Sequence, residues 1–425
     1  MSTGRWQPRP ASHLTAHRPP LLYIKTVRLV HLSDLHLGFR QFQRTTPAGI
    51  NQREADVALS FTHAIDRVIE LRPDLVLIAG DVFHTVRPTN PAILHAFAQF
   101  SRLVRELPDA IVVMVAGNHD MPRSSETTCI LRLFAPLGIH VVDAESRRLE
   151  FPERGLSILA VPDMPPGRIK LDPDPNFPTN VLVLHGEIAG AIPLHAEHTD
   201  RASLQIPVED VSSPLWNYVA LGHYHVYKKV APNAYYCGAL DYTSSNVWGE
   251  IEEEHAQKLP GKGMIERDLA TGKQTFHRLV PAREVLDLPP IDGRGMSAPD
   301  LDAAIAATVE RATGGIDGKV VRLVARNVPR HIARELDHKV LRDLQRRALH
   351  FHLDTRRPDA VRPGAGAGAP GRRPSLADTL RDALRSRVLT SDIDRDALVE
   401  LGMHYLREAE SVGVIRDAPA AAEDA

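Results

Sequence analysis

The stretch VRLVHLSDLHLG, residues 27–38, decides how the chain is read: an apolar run of strand length breaks off into Ser33, Asp34, His36 and Gly38. Such a run bounded by polar residues is a buried strand. Two residues apart in an extended segment, Asp34 and His36 would lie on the same side. Beyond it, Val57, Phe61, Ile65 and Val68 recur at spacings of three and four, which predicts a helix. The unit then repeats. LVLIAGD (75–81) is a second buried strand, Ile93, Leu94, Phe97, Phe100 and Val104 mark a helix face, and IVVMVAGNHD (111–120) is a third strand. Strands alternating with helices predict an α/β layered core.

After Ile139 the apolar runs LSILAV, NVLVLHG, YVALGH and AYYCG follow closely, so the region to Arg283 reads as mostly strands. Residues 284–357 form a second unit, a small α/β cap, with a helix near Leu301–Ala312, a strand in VVRLVARNV (320–328) and a helix through Leu336–Leu349. PGAGAGAPGRRP makes 358–374 a flexible linker. Ser375 and Asp378 form a capping box for a helix bearing Leu376, Leu380, Ala383, Leu384 and Val388, and Leu398, Leu401 and Tyr405 mark another. Residues 375–412 are therefore a helical pair. It is too short for a core of its own and presents Leu380, Leu384, Leu398, Leu401 and Tyr405 to a partner. Residues 1–26 and 413–425 read as disordered tails.

In 425 residues, 51 basic against 53 acidic side chains leave a net charge of −2, so any polyanion-binding surface must be local. No run approaches the ~18 apolar residues of a membrane span. Two cysteines, Cys129 and Cys237, argue against a disulfide framework or a thiolate zinc site and fit a reducing, cytoplasmic compartment.

Seven metal-capable side chains fall where predicted strands end: Asp34, His36, Asp81, Asn118, His185, His223 and His225. Ligands in open α/β sheets bind beyond the carboxyl ends of the strands, so these residues can converge. Carboxylates, imidazoles and an amide without thiolate suit manganese, iron or zinc. Two adjacent cations need an anion between them, and Asp81, with two carboxylate oxygens, is the natural bridge. Such a pair activates a water and clamps a phosphoryl group during in-line displacement. His95, His195 and His198 receive no role.

In this order, D-x-H, GD, GNHD, His-Gly and GH-x-H resemble the calcineurin-like metallophosphoesterase superfamily. Phosphoprotein phosphatases of that superfamily carry GDxxDRG and GNHE, whereas this chain has GDVFHTVRP and GNHD. That form is similar to the SbcD-type nuclease subunits of double-strand-break repair complexes, over about 27–357 and more loosely 375–412. The resemblance implies a four-layer α/β/β/α sandwich and two manganese ions, one held by Asp34, His36, Asp81 and His225, the other by Asp81, Asn118, His185 and His223. It makes His119 the residue that stabilises the transition state or protonates the leaving oxygen, His84 its support, and Asp120 the group that orients it. It also implies a DNA exonuclease, with endonuclease activity, acting in DNA repair and recombination as a homodimer with an SbcC-like coiled-coil ATPase.

Between Lys319 and Arg347, nine Lys/Arg face Glu335, Asp337 and Asp343. The resemblance puts duplex contacts in this cap, so Arg322, Arg326 and Arg330, with Lys228 and Lys229 of the VYKK turn, are DNA-contact candidates. Two rival readings remain. A phosphodiesterase or phosphatase for a small phosphoester would need neither basic cap nor helical pair. A non-catalytic scaffold would be expected to have lost ligands, and none is missing.

Overall fold

The computed structural model describes residues 27–122, 128–164, 169–192, 202–358, 376–386 and 394–414. The tail expected at 1–26, the linker beyond Pro358, the Ser375–Asp378 capping box, Val388, His195 and His198 lie outside what is described. Two compact units divide at Pro358.

The first unit opens with β1 (Arg28–Leu32), α1 (Gln52–Leu71), β2 (Leu75–Ala79), α2 (Asn90–Glu106), β3 (Ile111–Val115) and β4 (His140–Val142). Next come β5 (Arg147–Phe151), β6 (Leu156–Val161), β7 (Thr179–His185), the ribbon strands β8 (Glu187–Ile188) and β9 (Gln205–Ile206), and the single turn α3 (Val208–Val211). β10 (Tyr218–Gly222), β11 (Lys228–Ala231), β12 (Ala234–Tyr236), α4 (Val247–Ala256), β13 (Gly263–Asp268) and β14 (Gln274–Arg278) complete the body. These strands make two six-stranded sheets, ordered β14-β13-β1-β2-β3-β4 and β11-β12-β10-β7-β6-β5.

Side-chain alternation assigns each strand residue to a layer. Leu29, Leu77 and Val113 meet Ile158, Val183 and Ala220 between the sheets. Val30, Ile78 and Met114 face outward onto Phe61, Ile65 and Phe100 of α1 and α2. Leu159, Leu182 and Leu221 face the other way, where Leu204, Ile206, Val211 and Trp216 cover them. The central strands β2, β3, β6, β7 and β10 are buried on both faces, which is why they read as unbroken apolar runs, while the outer strands β5, β11 and β14 are polar and partly exposed. Among the described residues, the β8–β9 ribbon and α3 contribute to the layer over Leu159, Leu182 and Leu221. α2 departs from expectation: Ala92, Ala96, Phe100 and Leu103 face the core, while Leu94 is 70% and Phe97 38% exposed. Its apolar residues spread over two faces.

The cap region has its own three-stranded parallel sheet, β15 (Val285–Asp292), β16 (Val320–Arg326) and β17 (His350–Thr355), with α5 (Ala298–Glu310), α6 (Arg330–Glu335) and α7 (His338–Arg347). A separate core forms around Leu301, Ile305, Leu323 and Phe351. β15 escapes a pattern reading because Pro289 and Pro290 interrupt it; they occupy a register shift on an edge strand, where a missing N–H is tolerated. Arg283 ties the cap to α1 through Asp56 (Nη2 to Oδ1 2.8 Å). The second unit contains α8 (Leu376–Ser386) and α9 (Arg395–Val414), the latter running two residues past the expected limit at 412.

Candidate metal centre

β1, β2, β3, β7 and β10 all end at one edge, and the residues just beyond them form the centre. The backbone does not stay extended there. Asp34, His36, Asp81 and His223 have φ of 54°, 44°, 49° and 108°, a conformation that non-glycine residues keep only when their surroundings enforce it. The enforcement is visible: Asp34 N–H donates to Gly80 O (3.0 Å) and His36 N–H to Asp81 O (2.9 Å), locking the first two loops together. Asp34 and His36 thus share a side through left-handed turns, not strand alternation. At Gly222 a Cβ would lie 1.7 Å from the Ala79 carbonyl oxygen, so only glycine lets β10 end this close to β2.

Asp34, His36 and His225 bring ligand atoms within 4.8 Å of one another, and so do Asp81, His185 and His223. Asp81 sits between the two groups, its Oδ2 3.6 Å from His36 Nε2 and 3.5 Å from His185 Nε2. One oxygen faces both groups, because Oδ1 accepts the His119 backbone N–H (3.0 Å). Asn118 Oδ1 lies 3.0 Å from His185 Nε2 and 3.3 Å from His223 Nδ1. His36 and His225 point Nε2 atoms at each other across 2.9 Å.

Burial, then the neighbouring His225, His119, His84 and His185, holds the His36 imidazole well below its ordinary value, and burial lowers His185 to about 4. Burial raises the Asp81 carboxyl. For His223 burial acts downward, but its Glu187 contact and the charges of Asp81 and Asp34 outweigh it and raise the ring. Imidazoles, carboxylates and an amide crowd together here without a thiolate, and this hard-to-borderline donor set fits divalent cations.

His119 Nδ1–H donates to the His84 carbonyl (2.7 Å), its ring stacked 5.2 Å from that of His84. His84 Nδ1 lies 3.2 Å from His36 Nδ1. Asp120, expected to orient His119, accepts backbone N–H groups of Val82 (3.1 Å), Phe83 (2.9 Å) and Gly117 (3.0 Å). It is fully buried beneath the turn, and burial together with the charge of Asp81 raises it to about 7. Sequence reading missed Glu187, 3.3 Å from His223 Nε2, although its position directly after His185-Gly186 was a signal. His36, Asp81, His84, His119, His223 and His225 line one cavity of about 340 Å³, with Thr243–Asn246 also in its lining.

The expected DNA contacts separate into two kinds. Arg322 is engaged inside the fold: it binds Asp287 through two hydrogen bonds (2.9 and 2.5 Å) and its guanidinium lies 4.8 Å over the Trp248 ring of α4. Lys319, Arg346 and Arg347 are paired with Glu284, Asp343 and Asp317. Arg326, Arg330, Arg334, Lys339 and Arg342 are exposed and form no ion pair among the described residues. Lys229 is exposed and Lys228 half-buried, their Nζ atoms 5.8 Å from the rings of Tyr235 and Tyr224. In the second unit, Leu401 (50%) and Tyr405 (61%) are exposed while Leu380, Leu384 and Leu398 are half-buried, and Leu384 packs against Gly402.

Residues 27–255 match the calcineurin-like phosphoesterase family. The chain is 28% identical over 241 residues to the DNA double-strand break repair protein Mre11 of Methanocaldococcus jannaschii, covering 55% of this chain and 60% of that one. With Mre11 of Methanococcus maripaludis it shares 26% over 255 residues, 57% of this chain and 63% of the other. Over 112 residues it is 36% identical to Mre11 of Aeropyrum pernix, 26% of this chain and 25% of that one. The chain thus spans less than two thirds of the length of the first two relatives.

Proposed function

The chain belongs to the calcineurin-like phosphoesterase family, and from that membership we propose that it is a DNA phosphodiesterase using two divalent ions, manganese by preference, in double-strand-break repair. The carrying observation is the position of Asp81 Oδ2, within 3.6 Å of imidazole nitrogens in both ligand groups. In this reading Asp34, His36, Asp81 and His225 hold one ion, and Asp81, Asn118, His185 and His223 the other. When bound, the pair supplies an activated water and charge stabilisation on the phosphoryl oxygens. His119, with Nδ1–H spent on the His84 carbonyl, has Nε2 as the atom at which a proton is held for the leaving oxygen.

Support for DNA comes from the Mre11 relatives and from the exposed arginines of α6 and α7, which suit phosphate neutralisation. We assign 27–283 to catalysis, 284–357 to a DNA-contacting cap and 375–412 to docking an SbcC-like coiled-coil ATPase; the exposed Leu401 and Tyr405 support the last assignment. Exposed Leu59, Leu94 and Phe97 on α1 and α2 support a homodimer. The test compares a labelled linear duplex with an aryl phosphodiester in manganese. Release of nucleotides from the duplex is expected, and hydrolysis of the aryl ester alone would favour a small-molecule phosphodiesterase.

A further inference from the structure

Behind His225, at its Nδ1 side, three buried side chains and the half-buried Tyr242 converge. α4 brings Glu250 to the ring, with Oε1 3.5 Å from Nδ1. Lys262, immediately before β13, donates to the His225 carbonyl (2.9 Å) and contacts the other Glu250 oxygen. Its Nζ also lies 3.1 Å from Glu254 Oε1 and 4.5 Å from the centre of the Tyr242 ring. Lys262 is 2% exposed, Glu254 6% and Glu250 8%. Burying an ammonium is expensive unless it is fully paired, and here both halves of the pair touch one residue. The carboxylate meets the His225 ring and the ammonium meets its backbone.

We propose that Glu250, clamped by Lys262, is a positioning residue that sets how tightly the Asp34–His36–His225 group holds its ion. The inference rests on the two-ion reading above. A carboxylate facing Nδ1 selects the tautomer with the proton there, leaving the Nε2 lone pair toward Asp34 and His36. Lys262 fixes the carboxylate in position and compensates its charge, so the ring is held before any ion arrives. The other histidine of the GHYH motif is supported differently: Glu187 meets His223 at Nε2, and Nδ1 faces Asn118. Each histidine therefore has a carboxylate at the nitrogen turned away from its group, and the Lys262 clamp acts on the His225 side.

The test is calorimetric titration of the full chain with manganese, alongside nitrogen NMR of labelled histidine. Glu250→Ala should weaken one of the two ions by about 10–100-fold, the usual cost of losing such a partner, and leave the other unchanged. Glu250→Gln keeps an acceptor oxygen, so it should retain the Nδ1–H signal of His225 and lose less affinity. Lys262→Met should follow Glu250→Ala; should it not fold, Glu250→Gln, in which Lys262 keeps Glu254, carries the test with Glu250→Ala. Wild-type affinity at both sites in the Glu250 variants would overturn the proposal, as would equal weakening of both, the mark of a general loosening. Fewer than two ions in the wild type would overturn the two-ion reading and this proposal with it.

Discussion

At the scale of single residues, the chemistry follows from which atoms are already committed. Asp81 has given Oδ1 to the His119 backbone and keeps Oδ2 for both ligand groups. His119 has given Nδ1–H to the His84 carbonyl. His119→Ala should therefore keep both ions yet lose about 10²–10⁴-fold in turnover, the usual contribution of a general acid; metal analysis beside rate measurement checks both halves, and a missing ion would make His119 a ligand. That these donor residues cluster was legible in the sequence because each follows an apolar run. Their conformation was not, since nothing in DLH or GD distinguishes an extended segment from the left-handed turns that Gly80 and Asp81 carbonyls stabilise from another loop. The three backbone N–H groups that Asp120 accepts were not readable for the same reason: they come from two different loops.

At the scale of elements, β16 separates charge that builds the fold from charge that faces solvent. Arg322 joins β15 through Asp287 and α4 through Trp248, so Arg322→Met should lower the melting temperature and leave the salt dependence of DNA binding unchanged. Charge reversal at Arg330, Arg334 and Arg342 should do the opposite. For every DNA phosphate that is no longer neutralised, the slope of log affinity against log salt should fall by about 0.9, and an unchanged slope in a salt series would return these arginines to solvent. A charge count along the sequence could not make this division, because Asp287 lies 35 residues from Arg322 and meets it only through parallel pairing.

The contact of Arg283 with Asp56 of α1 is a comparable case. Burial pushes the Asp56 carboxyl up, but hydrogen bonds from Arg283 and Gln52 and the charges of Arg283 and Arg53 outweigh it and hold it below its ordinary 3.8. Its stabilisation is complete above that value and is lost as pH falls through the lower folded value. Asp56→Asn should cost about 3–5 kcal/mol at neutral pH, the range for breaking a buried pair. Denaturant unfolding should find the gap closing below about pH 4; a gap that persisted there would assign the loss to packing.

At the scale of the whole molecule, every proposed ligand lies between Asp34 and His225, inside the first unit, while α8 and α9 belong to the second. Deleting 375–425 should leave a folded enzyme with manganese-dependent activity but no stable complex with an SbcC-like ATPase. Size-exclusion co-elution as strong as that of the full chain would remove the helical pair from the docking role. The α/β order and the helices α8 and α9 were readable from periodicity. The β8–β9 ribbon and α3 were not, because a two-residue ribbon and a one-turn helix leave no period to detect. The central claim is a bridged pair of ions acting on DNA, and manganese titration of nucleotide release from a labelled duplex, run on the wild type and on Asp81→Ala, tests it most directly. Activity should rise as two ions bind to the wild type and be absent from Asp81→Ala at every manganese concentration. Saturation with a single ion, or release by Asp81→Ala at the wild-type rate, would contradict it.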